Sequence, residues 1–355
     1  MRELDRIRRA LATAADRGEG VMLATVLGVQ GSVYRGAGAR MLVMASGETV
    51  GAVSGGCLEA DIVARAPDIL AGNRNEVVHY DTRADDDVVL GLGLGCQGII
   101  DLLLEPLRGA SLHDAVSFYD RLATRRDRVT VLTVQRIRDG GYPLGARAVL
   151  DERGMFIEGE HALLAREGDL AREIVRPAIP LVICGGGGDA IPLVSLAKSM
   201  GWHVTVIDHR SSFASNVRFP LADVIINANL SQEPDALRGR VLLDDRTMAV
   251  VMAHSAIHDR AYLHVMLDAG ASYIGVLGPL RRTMELLAGH ALTAANTLPP
   301  QVHAPVGLDL GAESPEEIAL AIVAEVAAVS GGREGGLLRD RRGPIHGSEN
   351  RSPLP

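Results

Sequence analysis

The residue best suited to chemistry in this sequence is Cys57, which follows Ser54, Gly55 and Gly56. Apolar residues recur at helical spacing after it, which predicts a helix that begins near the cysteine. The positive end of a helix dipole favours the thiolate, the form that ligates soft metals, and glycines leave a thiol reachable. The charge of Glu59, two residues later, would oppose that shift. The alternative is a small residue buried beneath the helix, which is the commoner place for a lone cysteine.

A second cysteine, Cys96, lies in another glycine-rich segment, Gly91 to Gly98. Two thiols that converge from glycine-rich turns of one domain could hold a soft centre, which would be a metal, a sulfur atom or a dithiolene ligand. The sequence leaves open whether the thiols of Cys57 and Cys96 converge. The third cysteine, Cys184, lies inside an apolar run that predicts a buried strand, so we expect it in a core.

Two arginines, Arg35 and Arg40, flank Gly36 and Gly38 in a loop that precedes Cys57 in the chain. A guanidinium group matches the oxygens of a phosphate bidentately, so this pair could hold an anionic ligand. Solvated surface arginines are an equally good interpretation of the same two residues.

The segment from Leu181 to Arg210 predicts a β-α-β unit, because a buried strand leads through four glycines into a helix and the next strand ends on Asp208. In such a turn the spacing Gly185-x-Gly187-x-x-Ala190 brings the backbone close to a pyrophosphate, and the acid accepts a hydrogen bond from a ribose hydroxyl. We therefore predict a Rossmann-type pocket for NAD(P) or another nucleotide. NAD is expected to be preferred over NADP, because a carboxylate repels a 2′-phosphate.

Other residues of the same region leave that ligand open. Asp189 places a negative charge beside the proposed phosphate site, and Arg210 would weaken the preference for NAD. The alternative is a Rossmann scaffold whose pocket holds another ligand or none. His254 follows the fourth strand, at the carboxyl edge of the sheet where such folds bind ligands. Together with Asp259 it would either orient a proton or cap the next helix.

Composition and charge limit the classes of protein that this chain can belong to. It has 355 residues, 47% of them apolar, which is enough for two domains with sizeable cores. A net charge of −8 gives no electrostatic reason to expect a nucleic-acid partner. The three cysteines lack the paired spacing of zinc sites or disulfide frameworks, so we expect a reducing cytoplasm. The N-terminal segment predicts a charged helix, and no apolar run is long enough to span a membrane.

The order of the predicted elements indicates an α/β protein with two domains and a tail. Residues 1–178 are predicted to form a mixed α/β domain, which ends with a β-hairpin across 129–158 and a helical stretch as far as Arg176. Residues 179–330 are predicted to form a Rossmann-like, doubly wound parallel sheet. Pro177 and Pro180 mark the boundary. A capping box at residues 314–317 starts the last helix. Residues 331–355 lack periodicity, so we expect a disordered tail.

Taken together, these motifs resemble the XdhC/CoxI family, accessory proteins that mature molybdenum hydroxylases such as xanthine dehydrogenase. The resemblance covers nearly the whole chain except its tail. The matching segments are QGS-x5-GAR (residues 30–40), SGGCLE (54–59), GLGLGC (91–96), the Rossmann turn, YIGVLG (273–278) and GLDLGAESPEEIA (307–319).

The resemblance implies a protein that binds the molybdenum cofactor, molybdopterin with its metal. Such a protein protects the cofactor while a sulfurtransferase of the cysteine desulfurase type exchanges an oxo ligand for a sulfido ligand. It then delivers the cofactor to an apo molybdenum hydroxylase. Because the family pattern carries cysteine at the position of Cys57, we expect this thiol to contact the metal, with Gly55 and Gly56 baring the backbone beside it.

Three classes of function remain to be compared. The leading hypothesis is a maturation factor without turnover of its own. The runner-up is an NAD(P)-dependent oxidoreductase, suggested by the Rossmann pattern, although His254 is the one convincing acid/base candidate. A ligand-sensing regulator is the third. Bound molybdopterin would indicate the first, bound nicotinamide with turnover the second, and a nucleotide without turnover the third. The client hydroxylase and the oligomeric state, a homo-oligomer included, are left open.

Overall fold

The computed structural model describes residues 2–31, 33–81, 98–136, 141–165, 169–292 and 297–342. The chain divides into two compact units, one that ends at Pro177 and one that begins at Ala178. Among the described residues, no helix is long and apolar enough to cross a bilayer. The disordered tail remains a prediction; its described part contains a short 3-10 helix, Leu338–Asp340.

The first unit contains an antiparallel sheet with helices on both faces. Its strands are β1 (Val21–Gly31), β2 (Arg40–Met44), β3 (Thr49–Gly51), β4 (Glu76–Asp81) and β5 (Gly98–Leu107), and its helices are α1 (Arg2–Arg17), α2 (Glu59–Gly72) and α3 (Ala110–Thr124). The order across the sheet is β3-β2-β1-β5-β4. Successive side chains of a strand point to opposite faces. Leu23 therefore packs in one core with α1 and α3, whereas Met22 packs in another with α2.

A second antiparallel sheet completes this unit, in the order β8-β7-β6-β9. Its strands are β6 (Val129–Val134), β7 (Arg147–Leu150), β8 (Phe156–Gly159) and β9 (Leu170–Val175), and a 3-10 helix spans His161–Ala165. The hairpin predicted across 129–158 is therefore a three-stranded meander. The helical stretch predicted up to Arg176 is wrong, because residues 170–175 pair with β6 along its whole length.

The second unit is a six-stranded sheet in which every neighbouring pair is parallel. Its strands are β10 (Pro180–Cys184), β11 (His203–Asp208), β12 (Val224–Asn227), β13 (Met248–Val251), β14 (Tyr273–Val276) and β15 (Val302–His303). Its helices are α4 (Ala190–Ser199), α5 (Ala256–Asp268), α6 (Leu280–Leu287) and α7 (Pro315–Ser330). The strand order β12-β11-β10-β13-β14-β15 reverses direction between β10 and β13. Ligands of doubly wound sheets bind at such a switch point, outside the carboxyl ends of the strands.

Helices cover both faces of the parallel sheet, as the apolar strands predict. Leu193 of α4 and Ile322 of α7 pack in one core, and Leu263 of α5 and Leu286 of α6 in the other. The predicted capping box of α7 is present, because the hydroxyl of Ser314 and the carboxylate of the third helical residue bond to each other's backbone N–H groups. The fold class expected from the sequence, a mixed α/β unit followed by a Rossmann-like unit, is confirmed.

Candidate functional site

Cys57 lies in a turn that we call the Ser54 turn, residues 53–58, between β3 and α2. Helix α2 begins at Glu59 with Leu58 as its N-cap, so the helix starts two residues later than the cysteine. The Cys57 side chain is half-buried and packs against the core beneath α2. The residue therefore contacts the protein interior and is partly open to solvent.

The carboxylate of Glu59 holds this turn together. It accepts hydrogen bonds from the backbone N–H groups of Val53 at 3.2 Å, Ser54 at 2.8 Å and Leu58 at 3.2 Å. The Ser54 hydroxyl also donates to it, and its oxygen accepts from the N–H groups of Gly56 and Leu58, both at 3.2 Å. Burial raises the pKa of Glu59, but these hydrogen bonds outweigh burial and hold the pKa below its usual value. The negative charge of Glu59 is thus stabilised by the backbone N–H groups of the turn.

The two glycines of the Ser54 turn leave its outer side open. Gly56 has φ of 112°, which L side chains rarely adopt, and an added Cβ there would meet nothing within 4 Å. A Cβ on Gly55 would lie 3.6 Å from the ring of Tyr34, an ordinary contact. Tyr34 itself is 70% exposed. An exposed tyrosine beside a bare backbone and a reachable thiol is a surface suited to a ligand.

The arginines predicted to hold an anion are paired within the protein. Arg40 is buried, and its guanidinium forms a bidentate ion pair with Glu173 of β9 and bonds to the hydroxyl of Tyr119 at 3.2 Å. Arg35 pairs with Glu3 of α1. The structure thus differs from the expectation for Arg40, because a buried guanidinium group that is already bonded to Glu173 and Tyr119 is not available to a ligand. Its role is to tie the two sheets of the first unit together.

The other two cysteines do not share the surroundings of Cys57. Cys96 lies outside the described residues, so its convergence with Cys57 stays a prediction. Cys184 is fully buried in the core of the second unit, and burial raises the pKa of its thiol well above the usual value. Among the described residues, no three His, Cys, Asp or Glu side chains are grouped as a metal site. Within that part of the chain, Cys57 would therefore contact a metal as a single protein ligand.

In the Rossmann turn of the second unit, the first two glycines are required by close packing. Gly185 has φ of 122°, and a Cβ there would lie 2.6 Å from backbone atoms of Met252 and Ala253. A Cβ on Gly186 would lie 2.7 Å from the carbonyl oxygen of Phe213. Ala190, the first residue of α4, is fully buried in the core. These positions let strand, loop and helix approach one another, whatever the ligand.

The later glycines of this turn face open space. A Cβ on Gly187 would meet only the ring of His254, at 3.9 Å, and one on Gly188 would meet nothing within 4 Å. The candidate ligand surface of this unit is therefore the segment from Gly187 to the start of α4, at the switch point of the sheet.

Asp208, predicted to accept from a ribose, is fully buried and already bonded. Its carboxylate accepts from the N–H groups of Gly186 at 2.7 Å and Arg210 at 2.8 Å, and from the Arg210 guanidinium at 2.8 and 2.9 Å. Burial raises its pKa, but the guanidinium and the N–H donors outweigh burial, so the pKa lies below its usual value. The Arg210 guanidinium lies 3.7 Å from the ring centroid of Phe213. In this arrangement the acid organises the glycine turn.

His254 is held over the glycine turn by an unusual backbone conformation. Its φ is 56°, a left-handed value that is uncommon for a residue other than glycine. The exposed ring places Nε2 3.1 Å from the carboxylate of Asp189. Asp259 instead accepts from the N–H groups of Ala253 and Ser255 and pairs with Arg282. The contacts thus separate the pair that the sequence grouped together: the ring of His254 bonds to Asp189, and Asp259 bonds to the backbone that leads into α5.

Comparison with known proteins places this geometry in a family. A family model described as the XdhC Rossmann domain matches residues 181–326, and one described as the XdhC and CoxI family matches residues 14–81. A probable xanthine dehydrogenase subunit of Bacillus subtilis (strain 168) is 32% identical over 326 residues, which cover 87% of this chain and 92% of that protein. The chain belongs to the XdhC and CoxI family.

Two further relatives of the family agree with this assignment. Molybdenum cofactor insertion chaperone PaoD of Escherichia coli (strain K12) is 25% identical over 324 residues, which cover 91% of this chain and 87% of that protein. A crystal structure described as a xanthine dehydrogenase from Bacillus halodurans is 30% identical, with a TM-score of 0.77 over 92% of this chain and 96% of that chain.

The two family matches contain the two candidate surfaces. The Ser54 turn and Cys57 fall within the XdhC and CoxI match, and the turn that bears Gly187 and His254 falls within the XdhC Rossmann match. Sequence reasoning missed the Glu59 network and the pairing of His254 with Asp189. An acid at the start of a helix was a visible signal for the first. Nothing local signals the second, because the two residues lie 65 positions apart.

Proposed function

We propose that this protein is an accessory factor that binds the molybdenum cofactor, supports its sulfuration and delivers it to a molybdenum hydroxylase of the xanthine dehydrogenase type. The observation that carries the proposal is the half-buried Cys57 thiol, presented by the open Ser54 turn inside the segment that matches the XdhC and CoxI family. The names of the relatives support it, because one is a molybdenum cofactor insertion chaperone and another is a probable component of xanthine dehydrogenase.

The chemistry of the donor set suits this cargo. A thiol is a soft ligand, and soft ligands favour soft metal centres. A pterin that brings its own dithiolene needs few further ligands from the protein, which agrees with a single thiol at the described site. The bound cofactor would supply the molybdenum at which sulfur is exchanged, with a partner sulfurtransferase as the source of the sulfur.

The residues of the Ser54 turn have separate roles in this proposal. Cys57 contacts the metal, and the bare backbone of Gly55 and Gly56 lets a bulky cofactor approach the thiol. Tyr34 is an exposed aromatic side chain beside Gly55 that could contact the pterin. Because Gly55 and Gly56 are exposed and Cys57 is half-buried, the cargo can be transferred to an apo hydroxylase without opening a core.

The alternative, an NAD(P)-dependent oxidoreductase, has less support from the second unit. The acid expected to read the ribose is buried and bonded to Arg210. The Asp189 carboxylate lies beside the glycine turn, where its charge repels a pyrophosphate. Turnover of NADH or NADPH by cofactor-free protein would favour this alternative, and calorimetric titration with both dinucleotides tests its ligand.

The proposed function is tested by replacing the thiol in protein made by a host that synthesises molybdopterin. Cys57→Ser changes little volume, so circular dichroism should be unchanged, but the dissociation constant for molybdopterin is expected to rise about tenfold, the factor that corresponds to ~1.4 kcal/mol, and the molybdopterin retained per monomer should fall. Activation of the client hydroxylase should fall with it. The matched control is Cys184→Ala, which removes a fully buried thiol of the other unit and should keep its loading. Full loading and client activation by Cys57→Ser would show that the cysteine is structural.

A further inference from the structure

The Ser54 turn contains an acid that the proposed function does not use. Glu59 is the first residue of α2, yet its carboxylate points back along the chain and bonds to backbone N–H groups on both sides of Cys57, those of Val53 and Ser54 before it and Leu58 after it. A carboxylate at a helix N-terminus commonly bonds to one free N–H group of the first turn. Here it closes a six-residue loop around the cysteine.

Ser54 extends the same network to the glycine next to the thiol. Its hydroxyl donates to the Glu59 carboxylate, and its oxygen accepts from the N–H groups of Gly56 and Leu58. Ser54 is buried, whereas Cys57 is half-buried and Gly56 is exposed. The hydroxyl that carries these hydrogen bonds is therefore on the buried side of the turn, and Gly56 is on its exposed side.

Gly56 makes this network necessary. A residue at φ of 112° belongs to a flexible glycine turn that has many other conformations available. An added Cβ at Gly56 would meet nothing within 4 Å, so side-chain packing does not fix the turn there. Val53 and Leu58 anchor the two ends of the loop in the core, and the hydrogen bonds to Glu59 and Ser54 hold the backbone between them.

We propose that Glu59, acting through Ser54, is a positioning residue that fixes the Ser54 turn and thereby sets the direction and exposure of the Cys57 thiol. This inference rests on the proposed function for the purpose of the thiol, but its test does not. Glu59 does not touch the cargo; it holds the backbone that presents the sulfur. Without it the turn keeps its sequence and loses its fixed shape.

The test is the rate at which iodoacetamide alkylates Cys57 in the folded full-length protein, measured by mass spectrometry on the peptide that contains it. Glu59→Gln keeps the shape of the side chain but replaces one acceptor oxygen by a donor that faces N–H groups. The alkylation rate is expected to rise about tenfold, the factor associated with loss of one charge-assisted hydrogen bond. A rate at or below that of the wild type overturns the inference.

Asp61→Asn is the matched control. Asp61 also lies in the first turn of α2, so this change removes an equal charge from the same helix end. Its carboxylate bonds to Arg65 and Tyr80 and leaves the Ser54 turn alone. Its alkylation rate should stay near that of the wild type. An increase equal to that of Glu59→Gln would mean that helix-end charge, rather than the hydrogen bonds, controls the thiol, and would overturn the inference.

Two further measurements complete the test. If Glu59→Gln does not fold by circular dichroism, Ser54→Ala is measured instead. It removes the hydroxyl that bonds to the Glu59 carboxylate and to the N–H groups of Gly56 and Leu58, and it should raise the rate at least about threefold. An unchanged rate overturns the inference. A purely structural role for Glu59 would lower the thermal midpoint and leave alkylation below that midpoint unchanged. Failure of the two proposals is distinguishable. If Glu59→Gln is alkylated faster but Cys57→Ser keeps full molybdopterin loading, only the proposed function is overturned. If Glu59→Gln is alkylated at the wild-type rate but Cys57→Ser loses molybdopterin, only the positioning role is overturned.

Discussion

In the Ser54 turn and in the Rossmann turn alike, a carboxylate of the same unit accepts hydrogen bonds from backbone N–H groups. Glu59 bonds to three N–H groups of the Ser54 turn, and Asp208 bonds to that of Gly186. The glycines differ. In the Rossmann turn a Cβ on either of the first two would collide with backbone at 2.6 to 2.7 Å, whereas in the Ser54 turn it would meet a tyrosine ring or nothing.

This difference distinguishes glycines that close packing requires from glycines that leave the backbone exposed. Gly185 and Gly186 are needed because the segments that follow β10 and β13 and the loop that contains Phe213 pack closely there. A Rossmann scaffold requires this close packing with or without a ligand. Gly56 is needed for a backbone angle, and the space around it is empty. A run of glycines in a sequence therefore does not by itself indicate a phosphate site, and the less regular run beside Cys57 is the more open of the two.

The largest expected effect is that of Gly185→Ala. The added Cβ would meet backbone that cannot move independently, and φ of 122° is strained for alanine, so we expect a loss of about 3 kcal/mol in the free energy of unfolding. Urea unfolding followed by circular dichroism measures it. Gly188→Ala, in the same turn but facing open space, should change the free energy by less than about 0.5 kcal/mol. Equal effects of the two changes would contradict the packing role.

An intermediate effect is expected for Gly56→Ala in the Ser54 turn. No atom obstructs the added methyl group, so the cost is that of the backbone angle alone, about 1–2 kcal/mol. Gly55→Ala, whose φ is not in the left-handed region, should cost less than about 0.5 kcal/mol against the Tyr34 ring. The same urea titration compares the pair. If Gly55→Ala proved the more damaging, the turn would be limited by space rather than by conformation.

The smallest effect is that of the charge of the two acids, which is present at neutral pH and disappears as the pH falls. The pKa of Asp208 and that of Glu59 are both depressed in the folded protein. A depressed pKa stabilises the fold above the unfolded value, about 4, and this contribution is lost as the pH falls through the folded value. The difference in unfolding free energy between the wild type and Asp208→Asn should therefore shrink between about pH 6 and about pH 3. A difference that is constant with pH would mean that Asp208 contributes through shape rather than charge.

The sequence predicted the second unit well because its signals are local. Apolar strands alternate with amphipathic helices, glycines mark the turns, and the capping box of Ser314 marks the start of α7. The first unit was less predictable. Residues 170–175 contain Ala, Arg and Glu, which favour a helix in isolation, and pairing with β6 overrides that preference.

The same contrast applies to the candidate sites. Cys57 and the glycine turns could be found by residue type and spacing. The ion pair of Arg40 with Glu173 joins residues 133 positions apart, so nothing near Arg40 in the sequence revealed that its charge is used internally. Asp208 was correctly placed at the end of a strand. Its ion pair with Arg210, however, depends on the loop that follows β11, in which the Arg210 guanidinium packs against the ring of Phe213. Contacts of that kind become visible only in three dimensions.

The position of β5 has a consequence for synthesis of the chain. Among the strands of the first sheet, β5 is the last in sequence, yet it lies between β1 and β4 and pairs with both. A ribosome therefore releases β1 through β4, and the Cys57 segment with them, before the strand that joins them exists. During that interval β1 and β4 each present an unpaired edge, which is a template for wrong pairing. The facing edges of β1 and β4 are covered once β5, which ends at Leu107, has left the ribosome and paired with both strands.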